Sequence, residues 1–218
     1  MENILNHPQV NFGKTGVLVI NLGTPDSTSW FDIRKYLKEF LSDKRVIEVN
    51  PLIWQIILNV FILNLRPSKT AKAYKEIWMK DENISPLLYY TKKQAQKLSS
   101  SISKDNVIVN FAMRYGNPSI KSKIAELHAE GCENLTILPL YPQYAAATTA
   151  TVCDEVYRVL MKMRWQPSLK IVPHYESANK FVVILYQTFF FLLLHFYHFL
   201  IFFFFFFFFL FFFFFFFI

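Results

Sequence analysis

The sequence predicts an α/β fold, a doubly wound parallel sheet that carries helices on both faces. Short β-type runs alternate along the chain with helix-length segments whose apolar residues recur every three or four positions. The first run, residues 15–22, is rich in Val, Leu and Ile, a composition typical of strands buried on both faces. Such alternation favours right-handed βαβ connections. The most distinctive loop, residues 138–151, follows the third predicted strand, where open sheets of this class bind ligands.

The composition divides the chain into two parts of different character. All 23 basic and 16 acidic side chains lie in residues 1–180, whereas residues 181–218 contain no Asp, Glu, Lys or Arg. The mean hydropathy of +0.25 is therefore raised by the tail and says little about the core. We expect an N-terminal arm at 1–13, a folded domain at 14–176 and a low-complexity, Phe-rich tail at 177–218.

Charge and cysteine content restrict the partners and the compartment. The net charge of +7 comes from scattered Lys and Arg residues that accompany no nucleic-acid-binding motif, so we expect no nucleic-acid partner. Cys132 and Cys153 lack the spacing of a metal site or a disulfide framework. The first thirty residues show no basic start followed by an apolar run, so we expect a cytoplasmic protein.

The first predicted strand ends at a turn, Gly23-Thr24-Pro25-Asp26. A glycine in this place can belong to a nucleotide-binding loop, but no G-x-G-x-x-G pattern follows and Pro25 lacks an amide for a phosphate. A helix is predicted over residues 30–41, with Ser27 or Thr28 as its N-cap.

A run without any charged residue, Leu52–Leu65, has two interpretations. It is shorter than the roughly 20 residues that a membrane-spanning helix needs. It is either a buried helix or an exposed hydrophobic lip that touches a membrane surface or an apolar ligand, and the sequence leaves both open. Arg66-Pro67-Ser68 is predicted to end this run and to begin another helix.

Ser85-Pro86 has the pattern of a helix start, serine as the cap and proline in the first turn. The helix is predicted to reach the polar run 99–101. A second strand, residues 107–113, then brings Arg114-Tyr115-Gly116 to its carboxyl end.

The remaining elements complete the alternation. Asn117-Pro118 is predicted to cap a helix that Gly131 ends. A third strand at 135–138 precedes the distinctive loop, and a helix with a threonine cap follows over 149–164. A fourth strand is predicted at 169–172.

In this order and spacing the segments resemble the ferrochelatases, enzymes that insert ferrous iron into a porphyrin to make haem. The similarity runs from about Lys14 to about Glu176. It is carried by five stretches: Lys14–Leu18 with Asn21–Pro25, Arg66 with Tyr74, Ser85–Leu87, Arg114–Gly116, and Tyr141–Tyr144 with Thr148-Thr149. The last of these is the most specific.

The resemblance implies a Rossmann-like domain of the chelatase type, one of two that face each other across a porphyrin cleft in the family. It implies ferrous iron and a porphyrin as substrates and no further cofactor. The residues that match porphyrin-contacting positions of the family are Arg66, Tyr74, Ser85, Arg114, Tyr115, Tyr141, Gln143 and Tyr144.

Metal insertion in the family depends on a histidine in a Ser-x-His-Ser-x-Pro type motif and on a later glutamate, both in the second domain. Neither motif occurs in these 218 residues. His174 precedes the place where the first motif would fall and is not a substitute for it. We therefore assign no catalytic residue and no metal ligand, and we expect this chain alone to be inactive.

The tail has three interpretations, one of which is an aggregation-prone run of phenylalanine, a mediocre helix former. Residues 181–218 are long and apolar enough for a membrane-spanning helix. Phenylalanine is also what the codon TTT encodes, so a T-rich stretch read after a frameshift gives this composition, and we favour this interpretation. If the tail is genuine, the alternative function is a membrane-anchored porphyrin-binding or interaction module, with membrane contact through Leu52–Leu65 and the tail.

Overall fold

The structure, a computed structural model, describes residues 13–102, 105–194 and 196. It divides into two compact units at His174 and Tyr175. The first unit is built on four strands: β1 Lys14–Thr24, β2 Val107–Gly116, β3 Cys132–Pro139 and β4 Ser168–Ile171. The predicted arm and the Phe-rich end of the tail lie outside the described residues, except for Gly13.

The four strands form one parallel sheet in the order β2-β1-β3-β4. The chain adds β2 on one side of β1 and then β3 on the other, so the direction of winding reverses between β1 and β3. In sheets of this kind ligands bind outside the carboxyl ends of the strands at such a reversal. The predicted doubly wound α/β fold is confirmed.

Within the described residues of the first unit, six α-helices connect or flank the strands. They are α1 Trp30–Leu41, α2 Pro51–Ile57, α3 Leu63–Ile77, α4 Pro86–Ile102, α5 Ile120–Ala129 and α6 Thr151–Leu160. Two π-helical turns, Leu58–Ile62 and Ala146–Ala150, run directly into α3 and α6. π-Helical turns are rare and are frequent at functional sites.

Two hydrophobic clusters hold these elements together. One joins the sheet to α5 and α6, with Leu18, Ile124 and Val156 fully or almost fully buried. The other joins α1, the first π-helical turn and α3 to the end of β2, with Leu58 and Tyr115 completely buried. Helix α4 is tied to β1 by a hydrogen bond, because Asn21 Nδ2 donates to the buried Thr91 Oγ1 at 2.9 Å.

The predicted helix break at Pro67 is wrong, because Pro67 lies inside α3 and is buried. Proline removes the amide that would bond to the carbonyl of Leu63, the residue where the π-helical turn ends and the α-helix resumes. The irregular backbone is therefore upstream of Pro67, and the helix continues through it.

Four predicted helix termini also differ from the structure. The caps of α1 and α5 are Ser29 and Ser119, each accepting a backbone amide of its own first turn. A side-chain cap is absent where α6 begins, because the π-helical turn leads directly into it. Helix α4 runs through the serines to Ile102, since the hydroxyls of Ser100 and Ser101 bond to carbonyls one turn back.

Gly23 allows β1 and β2 to meet at their carboxyl ends. Its φ of +114° is one that L side chains rarely adopt, and a Cβ there would lie 1.8 Å from the carbonyl oxygen of Tyr115. Gly23 therefore serves the close approach of two backbones.

In the second unit, residues 179–194 are helical and their apolar side chains are largely exposed. Within the part of the chain that the structure describes, no helix combines the length and the apolar character needed to cross a bilayer.

Candidate functional site

Four tyrosines converge at the carboxyl end of the sheet, and Tyr36 of α1 is at their centre. Burial raises the pKa of Tyr36 well above its usual range, and Tyr74, Tyr141 and Tyr115 are close enough to raise it further. The Tyr36 hydroxyl donates a long hydrogen bond of 3.4 Å to the carbonyl oxygen of Gly23. Three residues with a predicted porphyrin contact therefore meet around a fourth aromatic residue.

The aromatic rings of α1, α3 and the end of β2 form a series of edge-to-face and stacked contacts. Tyr74 stands edge-on to Tyr36, with ring centroids 6.4 Å apart, and edge-on to Trp78 at the same distance. Phe40 stacks parallel to Tyr36 at 6.1 Å and meets the Tyr115 ring edge-on at 5.1 Å. Such pairs stabilise a structure by about 0.5–1.5 kcal/mol each beyond the effect of area burial alone.

Two buried oxygens beside this aromatic cluster lack hydrogen-bond partners. Among the described residues, Thr24 Oγ1 and the Tyr141 hydroxyl are the buried side-chain oxygens in this condition. The hydroxyls of Tyr74 and Thr24 are close enough to interact, yet no hydrogen bond of normal geometry joins them. An unpaired buried polar group costs stability, so a rearrangement that pairs either oxygen would be favourable.

Arg114 is buried, and its guanidinium donates to protein groups through Nε and Nη2. Its Nε donates to Thr151 at the backbone oxygen, 2.9 Å away, and at Oγ1, 2.6 Å away. Its Nη2 donates to Asp43 Oδ2 at 2.5 Å, and the guanidinium lies 4.4 Å from the centre of the Tyr115 ring. We call Asp43, Arg114, Tyr115 and Thr151 the arginine clasp.

Asp43 is the common acceptor of the arginine clasp. Its Oδ2 also accepts the hydroxyls of Tyr115, at 2.8 Å, and of Thr151. Burial by itself would raise the pKa of Asp43, but the hydrogen bonds from Thr151, the Arg45 amide and Tyr115, with the charge of Arg114, hold it below its usual range. The clasp ties the end of α1, the end of β2 and the start of α6 together.

An open cavity of about 860 Å³ adjoins the arginine clasp. Its lining mixes acids and bases, including Lys38, Glu39, Lys44, Asp154 and Arg158. A lining of this kind matches neither an apolar ring nor a simple anion, since neighbouring opposite charges partly cancel.

The other predicted site residues fall into two environments. Ser85 is buried and acts as the N-cap of α4, where its Oγ accepts the amide of Leu88 at 3.2 Å. Gln143 and Tyr144 are exposed on the loop after β3. The structure therefore places Ser85 under the helix start and leaves the loop residues open to solvent.

Arg66 is exposed on α3 and forms no ion pair or hydrogen bond with other described residues. It follows a surface of exposed apolar side chains on α2, the π-helical turn and the start of α3. These residues, which we call the lip, are Leu52, Ile53, Ile56, Ile57, Val60, Phe61 and Leu65. Leu58 and Leu63 of the same segment are buried, so the run Leu52–Leu65 is an anchored helix with an exposed apolar face.

Comparison of the sequence with known proteins identifies the family to which the chain belongs. The family model described as Ferrochelatase matches residues 14–196. The chain belongs to the ferrochelatase family.

Three relatives, each named Ferrochelatase, illustrate the relationship. The protein of Allorhizobium ampelinum is 58% identical over 177 residues, which are 81% of this chain and 52% of the relative. That of Francisella tularensis subsp. tularensis is 56% identical over 171 residues, 78% and 50% respectively. That of Agrobacterium fabrum is 52% identical over 179 residues, 81% and 52%. The chain spans about half the length of the curated relatives that it matches.

Several residues of this ferrochelatase site carry no signal in the sequence pattern. Tyr36 lies at a helical spacing that also suits ordinary core packing. Asp43 follows the predicted helix 30–41, and Thr151 lies at the start of the predicted helix 149–164. Their roles depend on contacts between distant parts of the chain, since Asp43 is 71 positions from Arg114 and 108 positions from Thr151. Asn21, by contrast, belongs to a stretch that carries the ferrochelatase resemblance.

No group of His, Cys, Asp and Glu in the described residues is arranged to hold a metal ion. Cys132 is buried and Cys153 is half-buried, and burial raises the pKa of each thiol. Neither cysteine is therefore activated as a thiolate ligand.

Proposed function

We propose that this chain forms the porphyrin-binding half of a ferrochelatase, which inserts ferrous iron into a protoporphyrin-type ring. The observation that carries the proposal is the aromatic cluster around Tyr36, with the unpartnered Tyr141 hydroxyl and Thr24 Oγ1 beside it. A porphyrin is a large, flat, apolar ring that bears propionates. It requires aromatic and aliphatic walls together with one or two cations.

Arg66 is the cation best suited to a propionate among the eight residues with a predicted porphyrin contact. It is exposed and unpaired within the described residues, whereas Arg114 already donates to Asp43 and Thr151. Two of the five N–H donors of Arg114 are used in this way and its side chain is buried, so a propionate would have to compete with the Asp43 carboxylate for the guanidinium. We therefore propose that Arg66 contacts the ligand and that Arg114 supports the wall.

Metal insertion requires two pyrrole protons to leave the ring as iron enters. The histidine and glutamate that do this work in the family, by the resemblance, belong to a second domain whose motifs do not occur in this sequence. We propose that this chain binds porphyrin but does not metallate it.

Absorption spectroscopy on one sample tests both halves of this proposal. Titration of the chain with protoporphyrin should give saturable binding, seen as a shift of the porphyrin Soret band. Addition of ferrous iron under anaerobic conditions should then form haem no faster than protein-free porphyrin in the same detergent. Haem formation that depends on the chain would contradict the proposed inactivity, and the absence of saturable binding would contradict the site.

A second candidate function is a membrane-associated porphyrin-binding or interaction module. The observation that favours it is the lip, where Leu52, Ile56 and Leu65 expose 63–79% of their surface and no acidic residue interrupts the segment. An amphipathic helix with such a face binds at the interface of a bilayer.

Flotation with liposomes distinguishes the two. Membrane-associated function predicts co-flotation that is lost when Ile53, Ile56 and Phe61 are changed to Ser, with Soret binding retained. If the variant floats as well as the unchanged chain, the lip does not mediate membrane contact.

A further inference from the structure

A second groove lies between α5 and α6, outside the aromatic cluster, and it shares Glu155 and Arg158 with the cavity beside the arginine clasp. Its apolar lining is formed by Ile124 and Ala125 of α5, Val159 of α6 and the following Met163. Ile124 and Val159 are part of the buried core, whereas Ala125 is exposed. The small side chain of Ala125 leaves open the space that a larger residue on α5 would fill.

The polar lining of the groove is cationic. Lys121 and His128 come from α5, and Arg158 and Lys162 from α6 and the turn after it. The acid of the lining, Glu155, forms an ion pair with Arg158 one helical turn away. Lys121 and Lys162 have no ion-pair partner within the described ranges, so two ammonium groups on the two walls are available to an anion.

The groove has a volume of about 260 Å³. This value is just below the range of about 300–1,000 Å³ in which drug-sized ligands bind. At one end His128 stacks on Trp165, with ring centroids 5.4 Å apart. The groove therefore fits a small molecule with a body of several carbons.

We propose that the α5–α6 groove binds a small amphiphilic anion, with an apolar chain against Ile124, Val159 and Met163 and a carboxylate between Lys121 and Lys162. Apolar burial holds the body of the ligand, and charge-assisted hydrogen bonds from the lysines orient its head. A neutral chain lacks the second contribution and a short anion lacks the first. This site is independent of the proposed porphyrin site, because none of its lining residues belongs to the aromatic cluster.

Calorimetric titration of the full chain with octanoate tests the proposal. Octanoate should bind saturably at one site, 1-octanol should bind about tenfold more weakly because it has no charge, and acetate should not bind. Octanol that binds as tightly as octanoate would overturn the anionic part of the proposal.

Variants place the binding in the groove. Ala125→Phe fills the groove from its exposed side and should abolish octanoate binding, while Lys121→Gln combined with Lys162→Gln should weaken it about tenfold. Lys170→Gln, an exposed lysine on β4, is the matched control and should change nothing. Circular dichroism verifies that each variant is folded, and the lysine pair still decides the question if Ala125→Phe is not.

Two results would overturn the proposal. One is the absence of saturable octanoate binding by the unchanged chain. The other is binding that persists undiminished in Ala125→Phe and in the double lysine variant, which would locate the ligand elsewhere, for example on the lip. The Soret titration should be the same for all these variants, so failure of the groove and failure of the porphyrin site are distinguishable.

Discussion

Arg66 and Arg114 have the same side chain and the same role by family resemblance, but they lie in opposite environments. Arg114 exposes 7% of its side chain and donates to Asp43 and Thr151. Arg66 lies on the surface of α3 beside the lip, without a partner among the described residues. Residue type and family position therefore suggest a ligand contact, whereas the partners in the folded chain decide whether the side chain is available for one.

The largest effect that we expect is the loss of stability when Arg114 is replaced. Arg114→Met should lower the free energy of unfolding by about 3–5 kcal/mol, because it leaves the Asp43 carboxylate buried without its ion-pair partner. Urea unfolding followed by circular dichroism measures this loss. The companion change Asp43→Leu in the same chain should recover part of it, since an apolar pair of similar size needs no charge compensation.

Lys35→Ala is the control, because the Lys35–Asp26 pair is exposed at the surface. Exposed pairs contribute about 0–1 kcal/mol. If Arg114→Met costs no more than Lys35→Ala, the arginine clasp does not stabilise the fold.

The next effect is on ligand affinity. Arg66→Ala should weaken porphyrin binding by about 1.5–3 kcal/mol, the range of a hydrogen bond to a charged group, and should leave urea unfolding unchanged. Arg34→Ala removes a similar charge from the neighbouring helix α1 and should cost only a few tenths of a kcal/mol. Soret titrations of the two variants make the comparison, and equal affinities would remove Arg66 from the site.

A smaller effect is expected on the pH dependence of stability, to which Asp43 and Glu39 contribute with opposite signs. The pKa of Asp43 is lowered in the folded chain relative to about 3.9 in the unfolded chain. Its stabilisation is therefore present above about pH 4 and is lost as the pH falls through the lower, folded value. Between about pH 5 and about pH 3, the unchanged chain should lose more free energy of unfolding than Asp43→Asn. Parallel pH profiles for the two proteins would show that Asp43 is not the responsible group.

The smallest expected effect has the opposite sign. Burial raises the pKa of Glu39, while a hydrogen bond from the Gly116 amide at 3.0 Å opposes this. The side chain as a whole is exposed, so the effect is small. Glu39→Gln should be slightly more stable than the unchanged chain at neutral pH, and the difference should disappear below the unfolded pKa, where Glu39 is protonated in both states. Thermal melts at two pH values check this, and a destabilised Gln variant would contradict it.

Much of the fold was predictable because its signals are local. The β-type runs and the three-to-four residue periodicity locate all four strands, and the tyrosine loop after β3 follows the third of them as expected. Two predicted helix ends are wrong because the surrounding backbone differs from what the local residue pattern suggests. Pro67 does not interrupt α3, since the π-helical turn lies upstream of it. The serines at 99–101 do not end α4, where the hydroxyls of Ser100 and Ser101 bond to carbonyls one turn back. Several neighbouring residues could cap each helix, so the sequence alone does not identify the cap. The local backbone path decides that Ser29 and Ser119 take this role.

The sequence by itself determined the order of strands and helices, the parallel sheet and the family, because each is encoded in short-range patterns and motif spacing. The tertiary structure decided which of the family positions are available to a ligand. Arg114 is buried and paired with Asp43 because Asp43 and Thr151, distant in sequence, meet at the end of β2. The Leu52–Leu65 segment is an exposed lip because only Leu58 and Leu63, with the half-buried Trp54 and Ile62, pack against the core. Burial and hydrogen-bond partnership are properties of the assembled chain, and no local pattern contains them.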